Sequence, residues 1–301
     1  MDIVLSHSTA MFVLDRCARK KPPKEFSVYP VDYGDSPESD WARTSRKLKQ
    51  FDLSEVRRAR KLIDVLIPSN SHLHTPRGFA FHGVGGALPA GSLLDFGFGR
   101  LVCAPQLIYI QLCQNSTLRQ CIEIGCHICG CYSLEPSARS GVVERRPLST
   151  KEQLDKYLRK AHHLRGARNA RKALRWVHDN SASPKETELA LAFYLPSSMG
   201  GFGFVMPILN YEIPLDSYES AIIGTKSVRI DVYWEEQKVG FEYTSYAEHG
   251  EGKKIGEDQR RVLVLRDRGI HIELVTQEQL GDPRQLSILA NILVDHGVPF
   301  A

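Results

Sequence analysis

Asp231 and Glu242 lie in two consecutive segments whose residue types suit β-strands. These are Arg229-Ile-Asp-Val-Tyr-Trp234 and Val239-Gly-Phe-Glu-Tyr-Thr-Ser245, joined by Glu235-Glu-Gln-Lys238. A loop of two or four residues centred between Glu236 and Gln237 pairs Trp234 with Val239. Counting inward in antiparallel register then sets Asp231 opposite Glu242. With a side-chain period of two, Ile230, Val232 and Trp234 go to the other face of their strand from Asp231. Val239, Phe241 and Tyr243 do the same relative to Glu242. Both carboxylates therefore emerge on one face, with Cβ atoms ~5 Å apart. Like charges placed so destabilise a sheet, and a divalent cation between them removes the repulsion. Mg2+ (or Mn2+) takes one or two carboxylates and completes its shell with water and phosphate oxygens. Such a site activates water and stabilises charge developing on a scissile phosphate. The competing reading leaves both acids at a solvent-facing sheet edge, paired with Arg or Lys. A three-residue loop would shift the register and separate them.

The elements around the hairpin have their own signals. Ser183, Pro184 and Glu186 form a helix start with proline at the first position and a capping acid at the third. That helix runs through Leu189, Leu191 and Leu195 and ends at Pro196 and the Gly200–Gly203 cluster. It offers Glu186 as a third oxygen ligand or as support for a bound water. After the hairpin, a polar loop with Gly250, Gly252 and Gly256 leads to a helix over Asp258–Arg268. Gly269 stands at its C′ position, and a strand over Ile270–Val275 follows. Thr276 and Gln279 open a last helical region that reaches His296. His249, on the polar loop, suits a general base because imidazole titrates near ~6.5, and a loop histidine without a task is the alternative.

Taken in order, Ser183-Pro-Lys-Glu-Thr-Glu-Leu, Arg229-Ile-Asp-Val-Tyr-Trp, Val239-Gly-Phe-Glu-Tyr, His249 and Asp258-Gln-Arg-Arg…Leu265…Arg268-Gly269 resemble the very-short-patch-repair-like branch of the PD-(D/E)XK nuclease superfamily. The resemblance covers about the last hundred residues. It implies a restriction-endonuclease-like domain with metal-binding acids at Asp231 and Glu242 and a helix acid at Glu186. Auxiliary roles fall to His249, Asp258 and Arg261. The chain departs from that family after Tyr243. The family usually places Asp-Gly there, and classical members place Lys, whereas this chain has Thr244 and Ser245. A hydroxyl holds a water but supplies no charge, so Lys253 or Lys254 would have to substitute from the loop. More weakly, Gly78-Phe-Ala-Phe-His82, Arg100-Leu-Val-Cys-Ala-Pro105-Gln-Leu and Ile124-Gly…Cys129-Gly-Cys-Tyr132 resemble the middle part of AbiEi-type antitoxins. That likeness implies a bacterial defence or toxin–antitoxin-like setting.

The length of 301 residues suits about two domains, and 42% hydrophobic with 25% charged residues is the ordinary globular range. The expected organisation is α/β: an N-terminal mixed domain over 1–147, a basic helical linker over 148–182, and the nuclease-like domain over 183–301. In the N-terminal part, a helix is expected over Ser8–Arg19, an exposed loop over Asp32–Asp40 and a helix over Leu53–Leu62. Strands are expected at Phe79–His82, Ser92–Phe96 and Arg100–Cys103, and a further helix begins at Pro105. Within the linker, Arg165, Arg168, Lys172 and Arg175 fall on one helical face that can track phosphates, with Lys156, Arg159 and Lys160 extending it. A merely solvated charged face is the alternative.

The net charge of +4 permits a polyanionic partner without demanding one. Cysteines number seven, six of them between Cys103 and Cys131, an odd and crowded set that suits a reducing cytoplasm better than a disulfide framework. Cys126-His-Ile-Cys129-Gly-Cys131 has one Cys-x-x-Cys spacing, and packing of these thiols in an apolar core is the expectation over zinc. His72, His74 and His82 match no metal template and read as incidental. No run reaches the ~20 apolar residues that span a bilayer, and the first residues show no signal-peptide pattern. The leading expectation is thus a metal-dependent DNA endonuclease. A non-catalytic nucleic-acid-binding regulator and a protein-interaction scaffold on the same fold are the rivals.

Overall fold

The computed structural model describes residues 3–19, 53–58, 62–68, 75, 77–84, 87–97, 100–244 and 252–301, except the side chains of 55, 58 and 252–258. The fold is α/β, and the chain divides into two compact units, Met1–Asp179 and Asn180–Ala301.

In the first unit, β1 (Ile3–Leu5), β2 (Ile63–Pro68), β3 (Phe79–Val84), β4 (Leu93–Asp95) and β5 (Arg100–Cys103) form a mixed sheet in the order β3-β2-β1-β5-β4. Helix α1 (His7–Ala18) follows β1 directly, one residue ahead of its expected start, and α2 (Ser54–Arg58) is the described part of the helix expected over Leu53–Leu62. The loop expected over Asp32–Asp40 lies outside the described residues. Helices α3 (Pro105–Cys113) and α4 (Leu118–Cys129) bring Leu107, Ile108, Tyr109 and Ile122 into the core. Cys103, Cys113, Cys121, Cys126 and Cys129 are buried with them, and burial pushes the Cys103 and Cys126 thiols up to about 12. They pack as small apolar side chains. A short hairpin, β6 (Tyr132–Leu134) with β7 (Val142–Glu144), precedes two more helices.

Those helices, α5 (Lys151–Lys160) and α6 (Ala167–Leu174), occupy the stretch expected as a linker, but they are part of the first unit's core. Leu154, Leu158, Ala170 and Ala173 are buried, and the Tyr109 hydroxyl donates to the Ala170 carbonyl at 3.2 Å. The positive charge that suggested a linker is confined to one side, and the small alanines on the other side let α6 approach α4. Arg165 precedes the helix instead of lying on it. Gly166, which starts α6, has φ +94°, and a Cβ there would sit 2.1 Å from the Ile110 carbonyl oxygen.

In the second unit, α7 (Pro184–Tyr194) starts as expected, with the Ser183 hydroxyl accepting from Glu186 N–H. Next come β8 (Ile208–Pro214) and α8 (Ser217–Ile223), neither of them expected from the sequence, then β9 (Ser227–Trp234) and β10 (Val239–Thr244). Helix α9 (Gly252–Asp267) crosses to β11 (His271–Thr276), parallel to β10, and α10 (Gln277–Gly281) and α11 (Pro283–Asp295) end the chain. The last helical region is thus two helices, because Asp282 and Pro283 start a new one. Helix α9 begins well before the expected Asp258, so Lys253 and Lys254 belong to the helix and not to a loop. The sheet order is β11-β10-β9-β8, which puts β9 and β10 inside it. Phe193 from α7 packs on Phe241 and Trp234, with ring centroids 4.7 and 6.3 Å away.

Replacing Gly166 by Ala should destabilise the first unit by about 2–4 kcal/mol, from the left-handed backbone and the steric overlap together. Urea unfolding checks this, and an unchanged midpoint would show that the α6 start is not held against Ile110.

Candidate functional site

The hairpin pairs as its loop length predicts, with Trp234 opposite Val239, Tyr233 opposite Gly240 and Val232 opposite Phe241. The next position in that register is Asp231 with Glu242. Backbone pairing stops before it, and the Asp231 side chain takes over. Its Oδ2 accepts from the Tyr243 backbone N–H at 2.9 Å. On the other side of β9 the ladder is also interrupted. Leu209 pairs with Val232 and Tyr211 with Ile230, but Asn210, opposite Asp231, adopts φ +51°. Asparagine is one of the few residues that enter this region readily.

The interruption changes the side-chain pattern. Strict alternation would send Ile230 to the face of Trp234. Instead Ile230 packs with Tyr233, Leu265 and Ile272, while Trp234 packs against Phe193 and Phe241. The expected alternation therefore does not hold through Asp231. Local breaks of this kind recur beside functional residues because they re-aim one side chain.

Three acids meet around the break. Glu242 is buried, and its Oε1 lies 2.7 Å from an Arg261 guanidinium nitrogen; the same nitrogen contacts the Arg229 carbonyl. Glu186 is also buried. Its Oε2 accepts from Ala182 N–H at 2.8 Å and from the Asn210 amide at 2.7 Å. That same Asn210 amide also donates to the Asn180 carbonyl, so Asn210 ties α7 to the interrupted strand. Burial pushes Glu186 above the usual carboxylate range, against the hydrogen bonds from Ala182 and Asn210. Asp231 is raised far more, first by burial and then by the negative charges of Glu186 and Glu242, with Tyr243 N–H and Arg261 opposing.

Asp231, Glu242 and Glu186 thus influence one another, as expected from the sequence. Arg261 enters the same cluster from α9. Thr244 closes β10 two residues beyond Glu242, opposite Thr276 of β11. His249 lies outside the described residues, as do the side chains of Lys253, Lys254 and Asp258. Asn210 was missed. Its one signal was an asparagine inside an otherwise strand-like run, Ile208-Leu-Asn-Tyr-Glu-Ile213.

Among the described residues no three His, Cys, Asp or Glu side chains converge closely enough to hold a metal unaided. Two carboxylates with oxygen-donor partners do fit the part of a Mg2+ shell that protein usually supplies. Burial is the first cause of Asp231's raised proton affinity; the charges of Glu186 and Glu242, which come next, are the part that would also attract a cation.

In the first unit, Arg165, Arg168, Lys172 and Arg175 are all exposed. A concavity of about 430 Å³ is lined by Arg168, Arg171, Lys172, Arg175, His162 and Ala167, with no acidic residue. Arg175 also lies over the Trp176 ring, 5.4 Å from its centroid. No described helix is long and apolar enough to cross a membrane. Comparison of the chain with known protein families, curated proteins and solved structures finds no match.

The electrostatics of Asp231 lead to a stability prediction. Its folded-state proton affinity is raised, so its contribution is present below the unfolded value near ~3.9 and is lost as pH rises through the folded value. Asp231→Asn keeps an acceptor for Tyr243 N–H and removes the charge. Its melting temperature should exceed the parent's by a margin that grows between about pH 5 and about pH 8. A margin independent of pH would show that the fold does not raise the proton affinity of Asp231.

Proposed function

We propose that the second unit is a metal-dependent nuclease domain that hydrolyses phosphodiester bonds in DNA, with a restriction-endonuclease-like arrangement. The observation that carries this reading is the interruption at Asp231, where a partly buried carboxylate is held beside Glu242 and Glu186 at a cost the fold tolerates. Structural ion pairs lower a carboxylate's proton affinity, whereas that of Asp231 is raised, first by burial and then by Glu186 and Glu242. Surplus negative charge in a fixed frame is the property expected of a cation site.

In this reading Asp231 and Glu242 hold Mg2+ or Mn2+, which supplies an activated water and charge neutralisation at the scissile phosphate. The chain's own residues set the frame. Tyr243 N–H orients Asp231, and Asn210 and Ala182 fix Glu186 by hydrogen bonds to Oε2. Arg261 already lies against Glu242, and its guanidinium fork suits a phosphate oxygen once Glu242 serves another cation. Thr244 supplies a hydroxyl where classical members of the superfamily have Lys. The basic concavity of the first unit is a phosphate-backbone contact in the same reading, since phosphates are met by Arg and Lys without sequence information.

A second reading rests on Thr244 and on the Arg261–Glu242 ion pair. A domain without the family's charged residue, with an arginine on one acid, keeps DNA binding and loses turnover.

Plasmid nicking with Mg2+ or Mn2+ separates the two. The nuclease reading expects nicking that falls at least about 100-fold in both Asp231→Ala and Glu242→Ala, about 3 kcal/mol of barrier, with DNA binding kept. Salt-sensitive binding without cleavage under either metal sinks it and leaves the regulator. Reversing charge at Arg168 and Arg175 should weaken binding and reduce the log–log salt slope by about 0.9 for each phosphate no longer neutralised. Unchanged binding would remove the basic concavity from the DNA interface.

A further inference from the structure

A second recess in the first unit has a chemistry that the nuclease reading does not use. It measures about 500 Å³, and His7, Phe81, His82, Ile110, Gln114 and Arg165 are among the residues that line it. At its wall is a carboxylate–imidazole pair. Asp64 of β2 and His82 of β3 come from adjacent parallel strands, and His82 Nε2 lies 2.8 Å from Asp64 Oδ1. The other oxygen, Oδ2, accepts from the Ser8 hydroxyl at 2.7 Å and from Thr9 N–H and hydroxyl at 3.2 Å each. Burial works to raise Asp64's proton affinity, but these hydrogen bonds and His82 outweigh it and hold the carboxyl below its ordinary range. An ionised carboxylate only accepts, so Nε2 of His82 carries its proton toward Asp64. The remaining ring nitrogen, Nδ1, is the one available to a ligand.

His7 stacks on His82, with ring centroids 3.7 Å apart. It sits at the junction of β1 and α1 with φ +48°, a conformation rarely held by a residue other than glycine or asparagine. Its N–H donates to the Gln111 side-chain oxygen at 3.0 Å, and its Nδ1 lies 3.0 Å from the Ser6 hydroxyl. Strain kept in place by several partners and directed at a cavity is a mark of a site.

The charge around the recess is one-sided. Among the described residues that line it there is no carboxylate, Asp64 standing behind His82, and Arg165 is exposed. The chain from His162 to Arg175 serves both recesses. His163, Leu164 and Arg165 line this one, and Arg168, Arg171, Lys172 and Arg175 line the basic concavity. Apolar and aromatic walls suit a planar base, amides and the His82 Nδ1 acceptor suit its polar edge, and Arg165 suits a phosphate. The volume suits one small ligand.

We propose that this recess binds a single nucleotide of a single-stranded nucleic acid, with the phosphate at Arg165, a base N–H donating to His82 Nδ1, and the neighbouring phosphates along α6. The site is independent of the acids in the second unit.

Calorimetric titration of the intact protein with adenosine 5′-monophosphate tests it. Saturable binding is expected, weakened about tenfold in both Arg165→Ala and His82→Gln, about 1.4 kcal/mol each. Gln keeps a donor for Asp64 and so preserves the fold. Lys172→Ala should leave mononucleotide affinity unchanged while weakening a short fluorescein-labelled single strand. Ring-proton resonances of His7 and His82 should shift on ligand addition in the unaltered protein, a readout that survives if a variant misfolds. Absence of saturable binding, affinity in both variants as high as in the unaltered protein, or unmoved histidine resonances overturns the proposal. Inorganic phosphate binding as tightly as the mononucleotide also overturns it, because the recess would then recognise an anion and no base.

Discussion

A β-sheet interior tolerates a charged carboxylate poorly, and the second unit is organised around one. Asp231 sits in the middle of an inner strand where both neighbouring ladders lapse. One lapse is filled by its own side chain on Tyr243 N–H and the other by the left-handed turn at Asn210. Without those substitutions the backbone groups at the break would be unpaired in a buried place, which costs about as much as a lost hydrogen bond. The surrounding elements answer the same constraint. Helix α7 brings Glu186, locked by Asn210, and α9 brings Arg261, whose positive charge offsets part of the acid surplus. Burial and the acid charge that remains together make Asp231 hold a proton more tightly than an ordinary aspartate does.

The first unit treats a buried carboxylate in the opposite way. Asp64 is surrounded by donors from Ser8, Thr9 and His82, and its charged form is favoured. One aspartate is thus completed by hydrogen bonds within the fold, and the other keeps a raised proton affinity. The same unit carries its positive charge on one side of α6, because the alanines that let this helix pack against Tyr109 and its neighbours occupy the opposite side.

Local signals in the sequence were strong where the chemistry is local. Ser183 with Pro184 and Glu186, Thr276 with Gln279, and Gly269 after α9 each marked a helix end that the structure contains, because caps depend on residues a few positions apart. The β9–β10 hairpin was equally legible, since loop length sets register. Other segments were not, α8 among them although Asp216 and Glu219 form a capping box at its start. Strand β8 and helix α8 were missed because Asn210 interrupts the strand pattern and α8 is short.

The amino-acid sequence alone thus determined the α/β class, the starts of α7 and α10, and the pairing of Trp234 with Val239 in the hairpin. Tertiary structure decided that the basic helices belong to the first unit's core, that Ile230 leaves the face of Trp234, and that His82 has Asp64 behind it. Each of those outcomes depends on partners far apart in the chain. Asp64 and His82 meet only because two parallel strands bring them together, and Asp231 meets Glu186 only once α7 packs on the sheet. Spacing along a chain carries periodicity and register, but it does not encode which distant side chain fills a gap in a ladder.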